Sequence, residues 1–346
     1  MNPLTRVMIA GSVAATTTAG AVHAQDRTEI NLLMPTPMSA NFPPLIAASA
    51  LDYFADEGLE LNLLPSSTTI PYVAFLQNGQ ADVAFLDPAQ TFQALEAGAD
   101  IEIVFAVMPR AAEGIAVSDQ SDYRDVADLA GTTVGLVSDR DRATLGMALD
   151  ARDLSLDDVT PVVVGEAGPT LANAFRKQTV SAIAGSDLDW LSIQASGIGI
   201  RIITPEEVSR TPSNSAAVSS TRIDEMQDPL TGFFRAWAKG VHATTVDPEV
   251  MSEMARTAVP EEWENEEFGQ QLLTASVKLT QSATEQTGMP EADIWSEIQP
   301  AIIEQGVMSE EIDPATFTDD RFIGPANDFS AEEVESDVAE WRAANM

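Results

Sequence analysis

DVAFLDPAQTFQALEAGADIEIVFAV, residues 82–107, reads as strand, helix, strand. Asp82 to Leu86 is a short apolar run suited to a buried strand. Asp87-Pro88 then opens a helix. Aspartate is a good N-cap, and proline at the first helical position gives up no hydrogen bond there. The helix is expected to run to Gly98, and Ile101 to Val107 to form another buried strand. Strands alternating with helices in this way point to a parallel sheet covered by helices.

The same alternation extends to both sides. Upstream, Ile30 to Met34 is a strand and Pro43 to Glu57 a helix that stops at Gly58. Leu59 to Leu64 is a strand, and Tyr72 to Asn78 a helix that stops at Gly79. Downstream, strands are expected at Thr133 to Val137, Thr160 to Val164, Val180 to Ala184 and Arg201 to Ile203. Helices at Arg142 to Ala151, Thr170 to Lys177 and Leu188 to Ala195 separate them. After a last strand at Asn214 to Ser219 only helical patterns follow, so that tail is expected to pack back on the first unit. The expected fold class is α/β with two lobes, each a mostly parallel sheet flanked by helices, and a ligand cleft between them. The chain would cross near Arg110 to Val117 and return near Pro212 to Ser219. The lobes are then residues 25–112 with 215–346, and residues 113–214. A length of 346 residues agrees with two cores.

Residues 1–24 are expected to be a signal peptide. Arg6 is its one charge, Val7 to Ala15 its apolar part, and Val22-His23-Ala24 its cleavage site. Its apolar run is too short to span a bilayer, and no later segment is long and apolar enough, so no stable membrane insertion is expected. Cysteine is absent, which excludes disulfides and a lipid-modified N-terminal cysteine. The periplasm of a Gram-negative bacterium follows as the expected location. Charge is extreme: 54 acidic against 18 basic residues, for a net of −36. Such a surface stays soluble in high salt, and it excludes nucleic acid as a partner, since no basic cluster could neutralise phosphates.

In open α/β sheets ligands sit at the C-terminal ends of strands, beside helix N-termini with free N–H groups. From the first lobe this rule selects the loop with Phe42, the hydroxyls Ser67, Thr68 and Thr69 leading to Tyr72, and Asp87. From the second it selects Ser138, Arg142, Thr170, Asp187 and Trp190. Arg110 at the first crossing would face both lobes. Each has a structural reading beside the functional one. Ser67 to Thr69, Asp87 and Asp187 could simply cap helices. Arg140 and Arg142, at one helix entrance, could grip an anion or pair with Asp139 and Asp141; Arg110 could pair with Glu113 or another acid, and Trp190 could be core. No nucleophile–base pair, metal-ligand cluster or phosphate loop is found, so neither an enzyme nor a cofactor is expected. His242, the one histidine after residue 24, lies in a late helix away from these loops.

Three segments stand out in order: Pro44-Leu45-Ile46-Ala47-Ala48 with Phe54 to Leu61; Gln77-Asn78-Gly79-Gln80-Ala81-Asp82-Val83-Ala84; and Asp128-Leu129-Ala130-Gly131-Thr132-Thr133-Val134-Gly135. Together they resemble the type II periplasmic binding proteins of ABC importers, in the branch for nitrate, sulfonate, taurine and thiamine-pyrimidine precursors. Thr132 replaces the usual lysine of the third segment, and Ser181 replaces an acid in a looser match over Ala182 to Asp187. The resemblance covers about Glu29 to Ala258. It implies a monomeric receptor that captures a small organic or anionic solute and delivers it to permease subunits. A membrane sensor as recipient, or a pyrimidine-precursor synthase on the same fold, are the alternatives. Phe42, Tyr72 and Trp190 would suit a heterocycle, and Asp87 or Asp187 its amino groups; Arg110 would suit an anion.

Overall fold

The computed structural model describes residues 27–64, 72–165, 167–282, 284–304 and 306–346. The expected signal peptide lies outside them. Among the described residues ten strands form two five-stranded sheets. The first contains β1 (Thr28–Leu33), β2 (Leu59–Leu63), β3 (Val83–Leu86), β4 (Ile101–Met108) and β10 (Asn214–Ser219), in the order β2-β1-β3-β10-β4. The second contains β5 (Glu113–Ser118), β6 (Thr133–Leu136), β7 (Thr160–Val163), β8 (Ala182–Ser186) and β9 (Ile200–Ile202), in the order β7-β6-β8-β5-β9. Each has one antiparallel strand: β10 against β3 and β4, and β5 against β8 and β9. These are the strands that follow the two crossings. A chain arriving from the other sheet enters against the direction of the βαβ units already there.

Sequence reading left residues 113–118 within a connection, and the structure makes them β5. Gly114 opens that strand against Thr204, whose hydroxyl accepts from Ile115 N at 2.8 Å. The helix expected over Pro43 to Glu57 is two, Pro43–Ala50 and Tyr53–Asp56, because Asp52 takes a left-handed conformation at φ 57° and turns the chain.

The first core forms where the Gln227–Val246 helix lies on the sheet. Leu230, Phe233, Phe234, Trp237 and Val241 recur at helical spacing and are buried. Phe234 stacks on Phe105 of β4 at 4.9 Å between ring centres, and Trp237 meets Phe85 of β3 edge-on at 5.1 Å. The helical tail therefore belongs with the first sheet. Asp82, in the Gln77 to Ala84 segment, explains part of that motif. Its carboxylate accepts from Asn31 N at 2.9 Å and pairs with Arg222 at 3.0 Å, joining β1, β3 and the turn after β10.

Candidate functional site: the cleft between the sheets

Two short segments carry the chain between sheets, and they are bound to each other. Ser213 N donates to Met108 O at 2.9 Å. Ser213 Oγ donates to Arg110 O at 2.9 Å and accepts from Ala112 N at 3.0 Å. A single serine thus ties the outgoing and returning strands side by side, leaving the lobes joined by one narrow double strap. Arg110 sits on this strap and pairs with Glu206 at 3.5 Å. Its pairing is to another acid than Glu113, and it is spent on the strap.

Beside the strap is a recess of about 570 Å³. The ends of β3, β6 and β8 open into it through Asp87, Ser138 and Ser186. The strap supplies Glu113 and Ser213. Ile298 and Ile302 of the C-terminal region close one side. The Gln299–Glu304 helix touches the Asp141–Asp150 helix, and the Glu266–Thr280 helix touches the Asp187–Ala195 helix, so the tail reaches both lobes around the cleft. A larger recess of about 760 Å³ adjoins it at Met147 and Thr211, but no strand end opens there.

Each strand end leads into a helix through a loop whose polar side chains bond one another. Asp87 Oδ1 accepts from Gln90 N at 2.7 Å, while Gln90 Oε1 accepts from Asp87 N at 3.1 Å. Asp87 is therefore both a cap and a cleft residue. Ser138 N donates to Asp141 at 2.6 Å, and Ser138 Oγ to the same oxygen at 2.9 Å. Ser186 does the same with Asp189 at 2.8 and 2.7 Å. At both second-lobe entrances the serine's own N–H and hydroxyl are spent on the aspartate; Ser186 with Asp189 forms a capping box, whereas the Asp141–Asp150 helix starts at Arg140 without a side-chain cap.

Electrostatically the cleft is negative. Burial pushes the Asp87 and Asp187 carboxyls above their usual range. Glu113 is raised too, first by burial and then by Asp141, Asp187 and Asp87. Its side chain is open to the cleft, yet protein surrounds it on most sides, which weakens solvation of its charge. Arg140 is the cation lining the recess, and Lys278 acts on Asp187 from the tail.

The other expected site residues fall elsewhere. Phe42 is 2% exposed and packs on Phe85 in the first core. Trp190 is 4% exposed, in the second core with Val137, Leu171 and Phe175. Neither forms a cleft wall; for both, the apolar ring gains more from the core side of its helix. Tyr72 is largely buried, and its hydroxyl donates to Met34 O at 2.7 Å, pinning the loop after β1. Arg142 turns outward to Asp139 at 3.0 Å, and Arg140 takes the inward position. Thr170 is exposed beyond the recess, and Asp187 borders it through Ser186 and Leu188. Ser67, Thr68 and Thr69 lie outside the described residues. His242 sits beside Phe329, far from the strand ends, in the Gln227–Val246 helix. Arg140 and Asp141 belong to the charged helix entrance noted in the sequence, whereas Glu113, Asp189 and Leu188 were not singled out as site residues by sequence reasoning. The available signal was position: each stands within five residues of a strand end or crossing.

Comparison with known proteins agrees with this architecture. The riboflavin-binding protein RibY of Chloroflexus aurantiacus is 24% identical over 318 residues, covering 87% of this chain and 88% of its own. The periplasmic aliphatic sulphonate binding protein SsuA of Escherichia coli superposes with a TM-score of 0.62 at 16% identity, covering 84% of this chain and 91% of that one. Similar structures are mostly solute-binding proteins, but the desulfurization enzyme DSZB shares the fold, with a TM-score of 0.56 at 15% identity over 87% and 99% of the two chains. Among the described residues no helix is long and apolar enough to cross a membrane. Residues 39–251, more than half of the sequence, match the NMT1/THI5-like family model; with two sheets, a double strap and an inter-lobe cleft, the chain belongs to that family and has the type II periplasmic binding protein fold.

Proposed function

We propose that this protein is the periplasmic solute receptor of an ABC importer, which captures a small organic molecule between its lobes and presents it to permease subunits. Three strand ends and both crossings converge on one recess beside a hinge, and this observation carries the reading. Residues 25–112 with 215–346, and 113–214, move as the two lobes, and the leader at 1–24 directs export. The names of its relatives, for riboflavin and for aliphatic sulphonate, bracket the solute as a compact organic molecule. Catalysis is disfavoured by chemistry: the sequence has no cysteine, and its one histidine after the leader packs against Phe329.

Binding to the folded state alone raises stability, by about 2.7 kcal/mol at a hundred times Kd. A thermal-shift screen of flavins, aminopyrimidines and sulfonates should therefore reveal the solute class. The solute that stabilises should also shrink the radius of gyration in solution scattering, because it touches both lobes and the strap bends. Saturation without any change in radius would reject capture between the lobes.

A further inference from the structure

The charge of the cleft carries information that fold and family do not. Carboxylates enter it from both sides and from the strap: Asp87 from the first lobe, Asp141 and Asp189 from the second, and Glu113 between them, while Asp187, at the rim beside Ser186 and Leu188, adds its charge to that felt by Glu113. Asp87, Asp141 and Asp189 are partly occupied by hydrogen bonds within their own loops. Glu113 has no side-chain partner among the described residues beyond its own backbone N–H. Interleaved with these acids in the lining are the apolar side chains of Val137, Met147, Leu188 and Ile302. Leu188 is 47% exposed and lines the recess, so it offers apolar surface to whatever occupies the cleft. The acids are too dispersed for one metal ion: among the described residues no three His, Cys, Asp or Glu side chains gather at ligand distances.

From this juxtaposition we propose that the solute is an organic cation, with an amine or amidinium head facing Glu113 and an apolar body against Leu188. The proposal rests on the cleft being the binding site. Without solute, like charges on the two lobes repel and hold the cleft open. A cationic head neutralises them together, so that binding and closure become one event. An anionic head, as in a sulfonate, would meet the same carboxylates in surroundings that solvate charge poorly, with Arg140 and Lys278 as its nearby cations.

Three probes with the same apolar chain isolate the head group: hexylammonium, hexanol and hexanesulfonate. Calorimetric titration should show saturable binding of hexylammonium, at least tenfold weaker binding of hexanol, and the weakest binding of hexanesulfonate. Glu113→Gln should lower hexylammonium affinity at least tenfold, as should Asp187→Asn, which guards against a folding defect in either variant. Hexanesulfonate binding as tightly as hexylammonium would overturn the proposal, as would unchanged affinity in both variants or no binding of any probe. Leu188→Trp fills the recess and separates the two levels. Sulfonate binding that Leu188→Trp abolishes keeps the cleft and overturns the charge assignment. Hexylammonium binding that survives Leu188→Trp removes the cleft itself.

Discussion

A tryptophan one turn into a helix beside a cleft has two good places to go: a ligand platform or the core. Trp190 goes inward because Gly185 lets it. A side chain at Gly185 would lie 2.6 Å from Val137 and 3.3 Å from the indole ring, so glycine there leaves Val137 and the ring room to share one core. Trp190→Ala should then cost about 3–5 kcal/mol, as for other buried aromatics. A urea titration would show a lower midpoint with an unchanged slope. Unchanged stability would put the indole outside the core. Glu113 is the opposite case. Its type gives nothing away in a chain with 54 acids, and only its place at the start of β5, beside the strap, makes it a cleft residue.

Among elements, the cleft depends on where strands end, and strand ends depend on registers fixed elsewhere. Asp82 is such a fixing point. It precedes β3, receives β1 through Asn31 N and holds Arg222 after β10, so three strands are aligned by one carboxylate with only 6% of its side chain exposed. Asp82→Ala would leave Asn31 N without this acceptor and free a half-buried guanidinium. Bonds to a charged group are worth about 1.5–3 kcal/mol, and a loss of that size is expected in chemical denaturation. Arg222→Ala should cost less, since Asp82 keeps its bonds to Asn31. Equal losses would mean that the ion pair alone carries the effect. The cleft loops show the same economy: Ser138 and Ser186 are at the cleft, yet their hydroxyls serve Asp141 and Asp189. Hydroxyls spent in this way leave the solute to be held by charge and shape.

For the whole molecule, a net charge of −36 opposes compaction in dilute buffer. The melting temperature should climb as salt is raised from low millimolar to about molar, because screening shortens to a few ångströms. A salt-independent value would mean the acids are already balanced locally. Acidity has a signed effect of its own. Asp87, Glu113 and Asp187 are raised by burial, so their contribution favours folding below the ordinary carboxylate range and is lost as pH rises through their folded values. Asp125, Asp128 and Asp158 are lowered, chiefly by the backbone N–H groups of Ala127, Arg124 and Ser155, and act the other way. Their stabilisation is present above the ordinary range and lost as pH falls through their lowered values. The ligand-free protein should thus melt higher at about pH 5 than at pH 7, and lower again below about pH 4. In Glu113→Gln the gain between pH 7 and 5 should shrink. A gain of the same size in that variant would assign it to surface charge alone.

The sequence by itself determined the order of strands and helices, the two-lobed α/β class and the family branch. Those follow from local rules: apolar runs of strand length, glycine stops, Asp-Pro starts and short motifs in order. It also located the strand-end loops, since chain direction alone decides which end of a parallel strand faces the cleft. Only the tertiary structure decided which side chains point there. Phe42 and Trp190 went to cores, Arg110 to the strap, and Arg142 outward while its neighbour Arg140 turned in. Residues 113–118 became a strand only because β8 and β9 lie on either side of them. The physical reason is the same in each case. A periodic pattern reports burial averaged over an element, whereas the direction of one side chain depends on partners far away in sequence, such as Thr204 for β5 or Glu206 for Arg110.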